Sequence, residues 1–285
     1  MRKRLIVNAD DFGISPGVNR GIIEANQKGI VTSTTLMVNM PYAQSAIELT
    51  KTHTSRMGIG LHITLTEGRP VLPAHDVPSL VTKDGTFRHL IRFLLSSPEP
   101  DDIRREITAQ FRRFGELTGK KPDHIDTHQF CCNCIPAAFA AYVEMALEHN
   151  IPMRSPIPHL DIETLRDLLS VMGGGLVNEA TYLIIRPIAK RIIEANRRSL
   201  AQKGTPNWPA GFEFHFYDKG VTHDSLLNIL KNLPEGTTEF MCHPGCDRDS
   251  GDSLPRELEL RLLTDNRTLR MIEALDIELR SFADL

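Results

Sequence analysis

Cysteine is scarce and badly placed for cross-linking: five in 285 residues, with Cys131, Cys132 and Cys134 clustered and Cys242 and Cys246 far downstream. An odd, clustered set in a chain this long reads as reduced thiols, not a disulfide framework. A long apolar run is also missing. The start "MRKRLIVNADD" is basic and then apolar, but the run breaks at Asn8, too short for a secretory or membrane-spanning segment. Charge of one sign is not in excess: 33 Lys and Arg face 36 Asp and Glu, for a net charge of -3. That balance gives no general case for nucleic acid or an anionic membrane as partner. No internal repeat, low-complexity tract or linker divides the chain. A soluble, cytoplasmic protein with one domain over 1–285 is the expectation, and a chain of this size needs no staples to fold.

What is present is an alternation of short β-rich runs and helical patterns. "RLIVNA" predicts a buried first strand. Ser15 then caps a helix with Pro16 in its first turn, and Gly29 ends it. "IVTSTTLMVN" and "MGIGLHITL" predict the second and third strands, with a helix at "YAQSAIELTKTH" between them. A loop-rich stretch follows over roughly 66–90. Residues 101–117 predict an amphipathic helix with Ile103, Ile107, Phe111 and Phe114 on one face. "DHIDTH" and "IPMRSP" predict strands four and five around a helix over 136–149. Residues 161–203 read as mostly helical with a break at Gly173–Gly175. "GFEFHF", "TTEFMCH" and "IELRSF" predict the last strands, separated by helices near 222–232 and 255–274. About eight strands with helices between them imply an α/β fold with a mainly parallel sheet. The count suits a (β/α) barrel; a doubly wound open sheet is the alternative.

The unusual residues fall at predicted strand ends. Asp10 and Asp11 close the first strand, and His62 lies near the end of the third. Asp126 and His128 close the fourth, Arg154 ends the fifth, His215 sits late in the sixth, and His243 closes the seventh. Parallel α/β architectures gather these ends on one face. Two imidazoles and one carboxylate make a facial triad for a divalent metal with open positions for water and substrate. A second carboxylate beside the ligand can accept a proton, and a metal makes two neighbouring acids tolerable. The Asp10–Asp11 pair then reads as one ligand and one base. Consecutive strand residues point to opposite faces, so both acids can reach one centre only where the strand has ended and the chain turns.

The motifs "NADDFGISPGVN", "GIVTSTTLMVNMP", "GIGLHITLTEGRPVLP", "HIDTHQ" and "EFMCHPG", with the tail "RELELRLLTD", resemble the YdjC-like carbohydrate deacetylases, in the same order from residue 5 to the C-terminus. The resemblance implies a variant (β/α) barrel, polysaccharide-deacetylase-like, with mainly parallel strands and helices outside. It implies metal-dependent removal of N-acetyl groups from amino-sugar oligosaccharides, typically short chitin-type ones. By resemblance Asp11, His62 and His128 bind the metal, Asp10 is the general base, and His243 is an acid or oxyanion partner. His124 and Asp126 are expected behind these residues. Arg154 is expected either to orient a substrate group or to form a structural ion pair.

One segment departs from the pattern. After His128 the chain reads "HQFCCNCIP", with three cysteines where family members carry further histidines. Small apolar filling is the ordinary use of free cysteine; an altered metal preference or a redox-sensitive site is the sharper reading. The expected cofactor is a divalent ion, Mg²⁺ from the resemblance or Zn²⁺, Co²⁺, Ni²⁺ or Mn²⁺ from the imidazoles. The expected partner is a small N-acetylated oligosaccharide, with a homodimer allowed. Rival readings are a non-haem Fe(II) oxygenase, which also uses two histidines and a carboxylate, and a sugar-binding barrel without turnover. A receiver-type phosphorylation module, which also ends its first strand in paired acids, is far shorter.

Overall fold

The apolar run near the start becomes β1 (Lys3–Phe12), buried from Leu5 onward. A strand buried on both faces needs neighbours at both edges and a layer over each face. The computed structural model, which describes residues 2–53, 57–172, 179–246 and 253–285, supplies them. After β1 come α1 (Pro16–Lys28), β2 (Ser33–Leu36), α2 (Ala43–His53), β3 (Gly58–Ile63), α3 (Leu90–Leu95), α4 (Pro100–Thr118) and β4 (Ile125–Thr127). The second half runs α5 (Pro136–His149), α6 (Ile162–Met172), α7 (Glu179–Lys203), β5 (Gly211–Glu213), α8 (His223–Asn232), β6 (Gly236–Cys242), α9 (Ser253–Leu263), α10 (Asn266–Ala274) and β7 (Glu278–Arg280).

The seven strands form one sheet in the order β4-β3-β2-β1-β6-β5, and β7 also pairs with β1. All of these pairings are parallel. β6 runs along Lys3–Ala9 on one edge of β1, while β7 and β2 share the other, at Arg4–Ile6 and Asn8–Phe12. The sheet curls into a half-barrel with helices around it. Among the described residues no pairing joins β4 to β5, so the barrel stays open on that side.

Two-residue alternation sorts β1 into two faces. Leu5, Val7 and Ala9 enter the main apolar core with Ile22 of α1, Ile107 of α4 and Phe139 of α5. The opposite face carries Asn8 and Asp10 into the half-barrel, which also buries the polar side chains of Thr35, His62 and Asp126. Capping explains where α1 starts: the Ser15 hydroxyl accepts the Val18 N–H at 3.1 Å, with Pro16 at the first helical position. α4 buries Ile103, Ile107 and Phe114 but also Glu106 and Gln110. Glu106 accepts the N–H groups of Val71 and Leu72, and Gln110 bonds both backbone groups of Thr64. The irregular loop after β3 is thereby tied to a helix.

Four sequence expectations change. "IPMRSP" is not a strand: only Met153 bridges, to Ile125. Pro152 and Pro156 lack the N–H that a ladder needs. The predicted helix over 255–274 is two helices, because the Asp265 side chain accepts the Arg267 N–H and caps a new start. The sixth strand shrinks to Gly211–Glu213 at the sheet edge. Phe111 is only half-buried and stacks on His149 at 4.1 Å between ring centroids. The predicted break at Gly173–Gly175 lies outside the described residues.

Candidate active site

Because the strands are parallel, their C-terminal ends open on one side, into a cavity of about 510 Å³. Its lining includes Asp10, Asp11, His62, His128, Arg154 and His243. These six come from positions spread over 230 residues of sequence, and the half-barrel brings them together.

The paired acids reach one space by an irregularity of β1. The strand does not stop at Ala9 as expected; it runs to Phe12 with a register shift against β2 between Ala9 and Phe12. Asp11 sits at φ 70°, in the left-handed region that Asp tolerates better than most residues. A bulge of this kind redirects a side chain that strict alternation would send to the helix side. Gln129 and Phe130 (φ 51° each) and Asp218 (φ 48°) are also left-handed, and all three line the same cavity. Unusual backbone geometry thus concentrates here, as it does at functional sites.

Asp11 is the meeting point of both imidazoles. His128 Nδ1 lies 3.0 Å and His62 Nε2 3.3 Å from Asp11 Oδ1, and Arg256 Nη2 donates to Asp11 Oδ2 at 2.6 Å. Burial pushes the Asp11 carboxyl up, but Arg256 and His128 outweigh it and hold the group well below the usual carboxylate range. The other ring nitrogen of His62 is taken: Nδ1 lies 2.6 Å from Asp126 Oδ1. The β3–β4 register sets His62 beside Asp126, so this contact is a consequence of strand pairing. Burial lowers the His62 pKa, yet Asp126 and Asp11 carry it well above its ordinary value. Such a carboxylate behind an imidazole fixes the tautomer and orients the remaining nitrogen.

Asp10 has a separate set of partners. Arg154 grips it with two hydrogen bonds, Nη1 to Oδ2 at 2.8 Å and Nη2 to Oδ1 at 2.7 Å. Asn8 Nδ2 donates to Asp10 Oδ1 at 2.9 Å. His243 Nε2 stands 3.9 Å from Asp10 Oδ2. Burial pulls the His243 pKa down to about 4, against the push of Asp10 and Asp11, so its ring is neutral at neutral pH. Glu259 of α9 accepts the His243 backbone N–H, and burial pushes its carboxyl up to about 8.

Three buried donors, from Asp11, His62 and His128, lie within 4.8 Å of one another. One ionised carboxylate and two imidazoles form a suitable donor set for a divalent first-row metal, and the residues therefore fit such an ion. Asp10, His62 and Asp126 are also close enough to form a cluster. Arg154 and Asn8 already occupy that second group of carboxylates, which makes it the poorer cation site.

Other expected residues stand further off. Asp126 lies directly behind His62, while His124 is bonded through Nε2 to Asn8 Oδ1 at 3.0 Å and through Nδ1 to Asp123 Oδ1 at 2.5 Å, and stacks on Phe282. His215 does not line the cavity; it pairs with Glu213 and Asp167 at the surface, because β5 ends before it. Cys131 and Cys132 belong to the main apolar core, and neither they nor Cys134 line the cavity. Sequence reasoning missed Asn8, Glu239, Tyr217, Arg256, Glu259 and Thr35, whose hydroxyl donates to Asp126 Oδ2 at 3.0 Å. For Asn8 a signal existed: it is a lone polar residue in the apolar strand run "LIVNA".

Residues 4–274 match the family described as YdjC-like protein. The chain belongs to that family. Among curated relatives, this YdjC-like chain is 34% identical over 288 residues to a carbohydrate deacetylase of Thermoanaerobacter pseudethanolicus, covering 99% of each chain. It is 32% identical over 296 residues to a chitooligosaccharide deacetylase of Yersinia enterocolitica, covering 100% of both. Among solved structures, a candidate cellobiose-phosphate cleavage protein of Enterococcus faecalis V583 superposes with a TM-score of 0.81 at 30% identity, over 100% of this chain and 99% of that one. The Xyl-CE4 domain of a multidomain xylanase from a Trinervitermes trinervoides hindgut metagenome gives 0.51 at 7% identity, over 100% and 89%. That likeness shows a shared fold. No helix among the described residues is long and apolar enough to cross a membrane.

Proposed function

We propose that this chain is a metal-dependent hydrolase that removes N-acetyl groups from short amino-sugar oligosaccharides, through a single catalytic domain spanning 1–285. The observation that carries the reading is the division of labour between two adjacent acids. Asp11 faces two imidazoles, whereas Asp10 faces a guanidinium and His243. The names of the full-length relatives support the substrate class.

In this reading Asp11, His62 and His128 hold a divalent ion. When bound, such an ion supplies Lewis acidity that makes water more acidic and a carbonyl more electrophilic. Asp10, oriented by the two hydrogen bonds from Arg154, takes a proton from the water that attacks the acetyl carbonyl. His243 enters as a neutral imidazole, so it gains its proton during the reaction, from the direction of Asp10. It then passes that proton to the departing amine, which otherwise leaves poorly. Asp126 holds the His62 ring throughout. Tyr217 packs edge-on against His243, with ring centroids 5.4 Å apart, and limits its rotation.

The cavity's basic side chains, Arg154 and Arg256, are both paired with carboxylates. That pairing favours an uncharged acetamido group over a phosphate as the group acted on. The five free cysteines suit a reducing cytoplasm. Acetate release from N,N′-diacetylchitobiose, with the divalent ion stripped and restored, tests the reading. Metal-dependent release is expected. Absence of acetate with every divalent ion offered, or release that needs O₂ and a 2-oxo acid, would refute it.

A further inference from the structure

We propose that Glu239 is a positioning residue that fixes Arg154, and through it Asp10, across the open side of the half-barrel. The inference rests on the base role proposed for Asp10 and adds a residue that touches neither substrate nor metal. Arg154 follows the single bridge at Met153, beyond the β4 edge of the sheet. Among the described residues no strand pairing holds it to β6, on the far side of β1. The side chain crosses that gap and spends its donors on three buried carboxylates from three strands. Nη1 and Nη2 go to Asp10 of β1, Nη2 also lies 2.9 Å from Asp126 Oδ2 of β4, and Nε donates to Glu239 Oε1 of β6 at 2.7 Å.

A guanidinium is planar and forked, so fixing Nε sets where both terminal nitrogens point. With Glu239 in place, the fork lies in register with the two oxygens of Asp10. Without that acceptor the side chain can rotate about its long axis and offer Asp10 one bond in place of two. Asp126 cannot substitute, because it contacts Nη2, the nitrogen that Asp10 already shares. Phe212 lies under the guanidinium, with the Arg154 Cζ 5.4 Å from the ring centroid, which supports its plane but not its rotation. Glu239 itself is fully buried, and its other oxygen, Oε2, has no hydrogen-bond partner. What the site uses is therefore one acceptor atom, which an amide oxygen can also provide.

The test compares Glu239→Leu, Glu239→Gln and Glu239→Asp with the parent on N,N′-diacetylchitobiose, with metal content, thermal midpoint and the ¹⁵N resonance of the Arg154 Nε–H as further readouts. Displacing a catalytic group by about an ångström costs on the order of 100-fold. Glu239→Leu should therefore lower kcat by roughly 10- to 100-fold, with KM and metal content unchanged within about 3-fold. Glu239→Gln should restore kcat to within about 3-fold of the parent and keep the Nε–H signal protected from solvent exchange. Parental kcat in Glu239→Leu, or a Gln variant as slow as the Leu variant, overturns the proposal. Should Glu239→Leu fail to fold, Glu239→Asp decides, because it withdraws the acceptor by one methylene: lowered kcat at parental KM supports the role, and parental kcat overturns it. A parent that releases no acetate overturns the proposed function, and the positioning role with it. The two failures are distinct, because only the failure of the positioning role leaves the parent active.

Discussion

Replacing Arg154 by Met removes the guanidinium shared by three buried carboxylates while keeping much of the side chain's length and apolar bulk. Arg154 is 4% exposed, and Asp10, Asp126 and Glu239 are each 3% or less. Removing one partner of a buried ion pair typically costs about 3–5 kcal/mol, because a charge is left uncompensated. Here the loss is bounded, since carboxylates can take up protons. Burial already pushes Glu239 up to about 7 with the cation present. Asp126 is different: burial pushes it up, but Arg154 and His62 together hold it well below the usual range. Arg154 lowers both of these carboxyls, so its loss raises the folded-state pKa of Asp126 and of Glu239. A group whose folded pKa rises binds protons more tightly when folded, so the damage should shrink as pH falls. The expectation is a loss of about 3–5 kcal/mol at pH 7.5, read by urea unfolding, and a loss at least 1 kcal/mol smaller at pH 5. A variant within about 1 kcal/mol of the parent at pH 7.5, or a loss that grows on acidification, would refute this account of the interior.

Asp10→Asn should keep metal binding while turnover falls by roughly two to four orders of magnitude, the usual worth of a positioned base. Normal turnover with metal bound would remove Asp10 from that role. A second pH effect comes from His159, which burial alone pulls down to about 3 from the ordinary 6.5. Its Nδ1 has no hydrogen-bond partner. The unfolded chain takes up this proton below pH 6.5 and the folded chain does not, so stability drops as pH falls through that window. Between pH 7.5 and 5.0 the group should cost about 2 kcal/mol, and His159→Gln should flatten the acid limb by that amount in paired urea titrations. An unchanged slope in the variant would assign the acid sensitivity elsewhere.

Much of the site was legible because its chemistry sits where apolar strands end. Asp10, Asp11, His62, His128 and His243 are polar residues at the close of buried runs, and a parallel sheet gathers such ends on one face. Strand register was not legible, and register sets His62 against Asp126 and Ile6 of β1 against Glu239. The bulge at Asp11 was half visible. The need for a turn followed from alternation, but its form, a left-handed residue inside a continuing strand, depends on pairing with β2. His215 misled because "GFEFHF" has the alternation of a full strand, whereas Phe214 turns into a side cluster with Leu165, Leu168 and Ile193 of α6 and α7 and ends the pairing early. Arg256 and Glu259 carry no strand-end signal, since they enter the cavity from a helix. The "HQFCCNCIP" departure proved to be mostly core, with Gln129 and Phe130 facing the cavity and Cys131 and Cys132 packed behind them.

The central claim is that Asp11, His62 and His128 bind one divalent ion, with Asp10 beside it. Calorimetric titration of chelator-treated protein with Zn²⁺ and Mn²⁺ tests it most directly, applied to the parent and to Asp11→Ala, His62→Ala, His128→Ala and Asp10→Asn. One tight site in the parent and in Asp10→Asn, weakened severely in each of the other three, is the predicted result. Equal binding by the parent and all three ligand variants would contradict it.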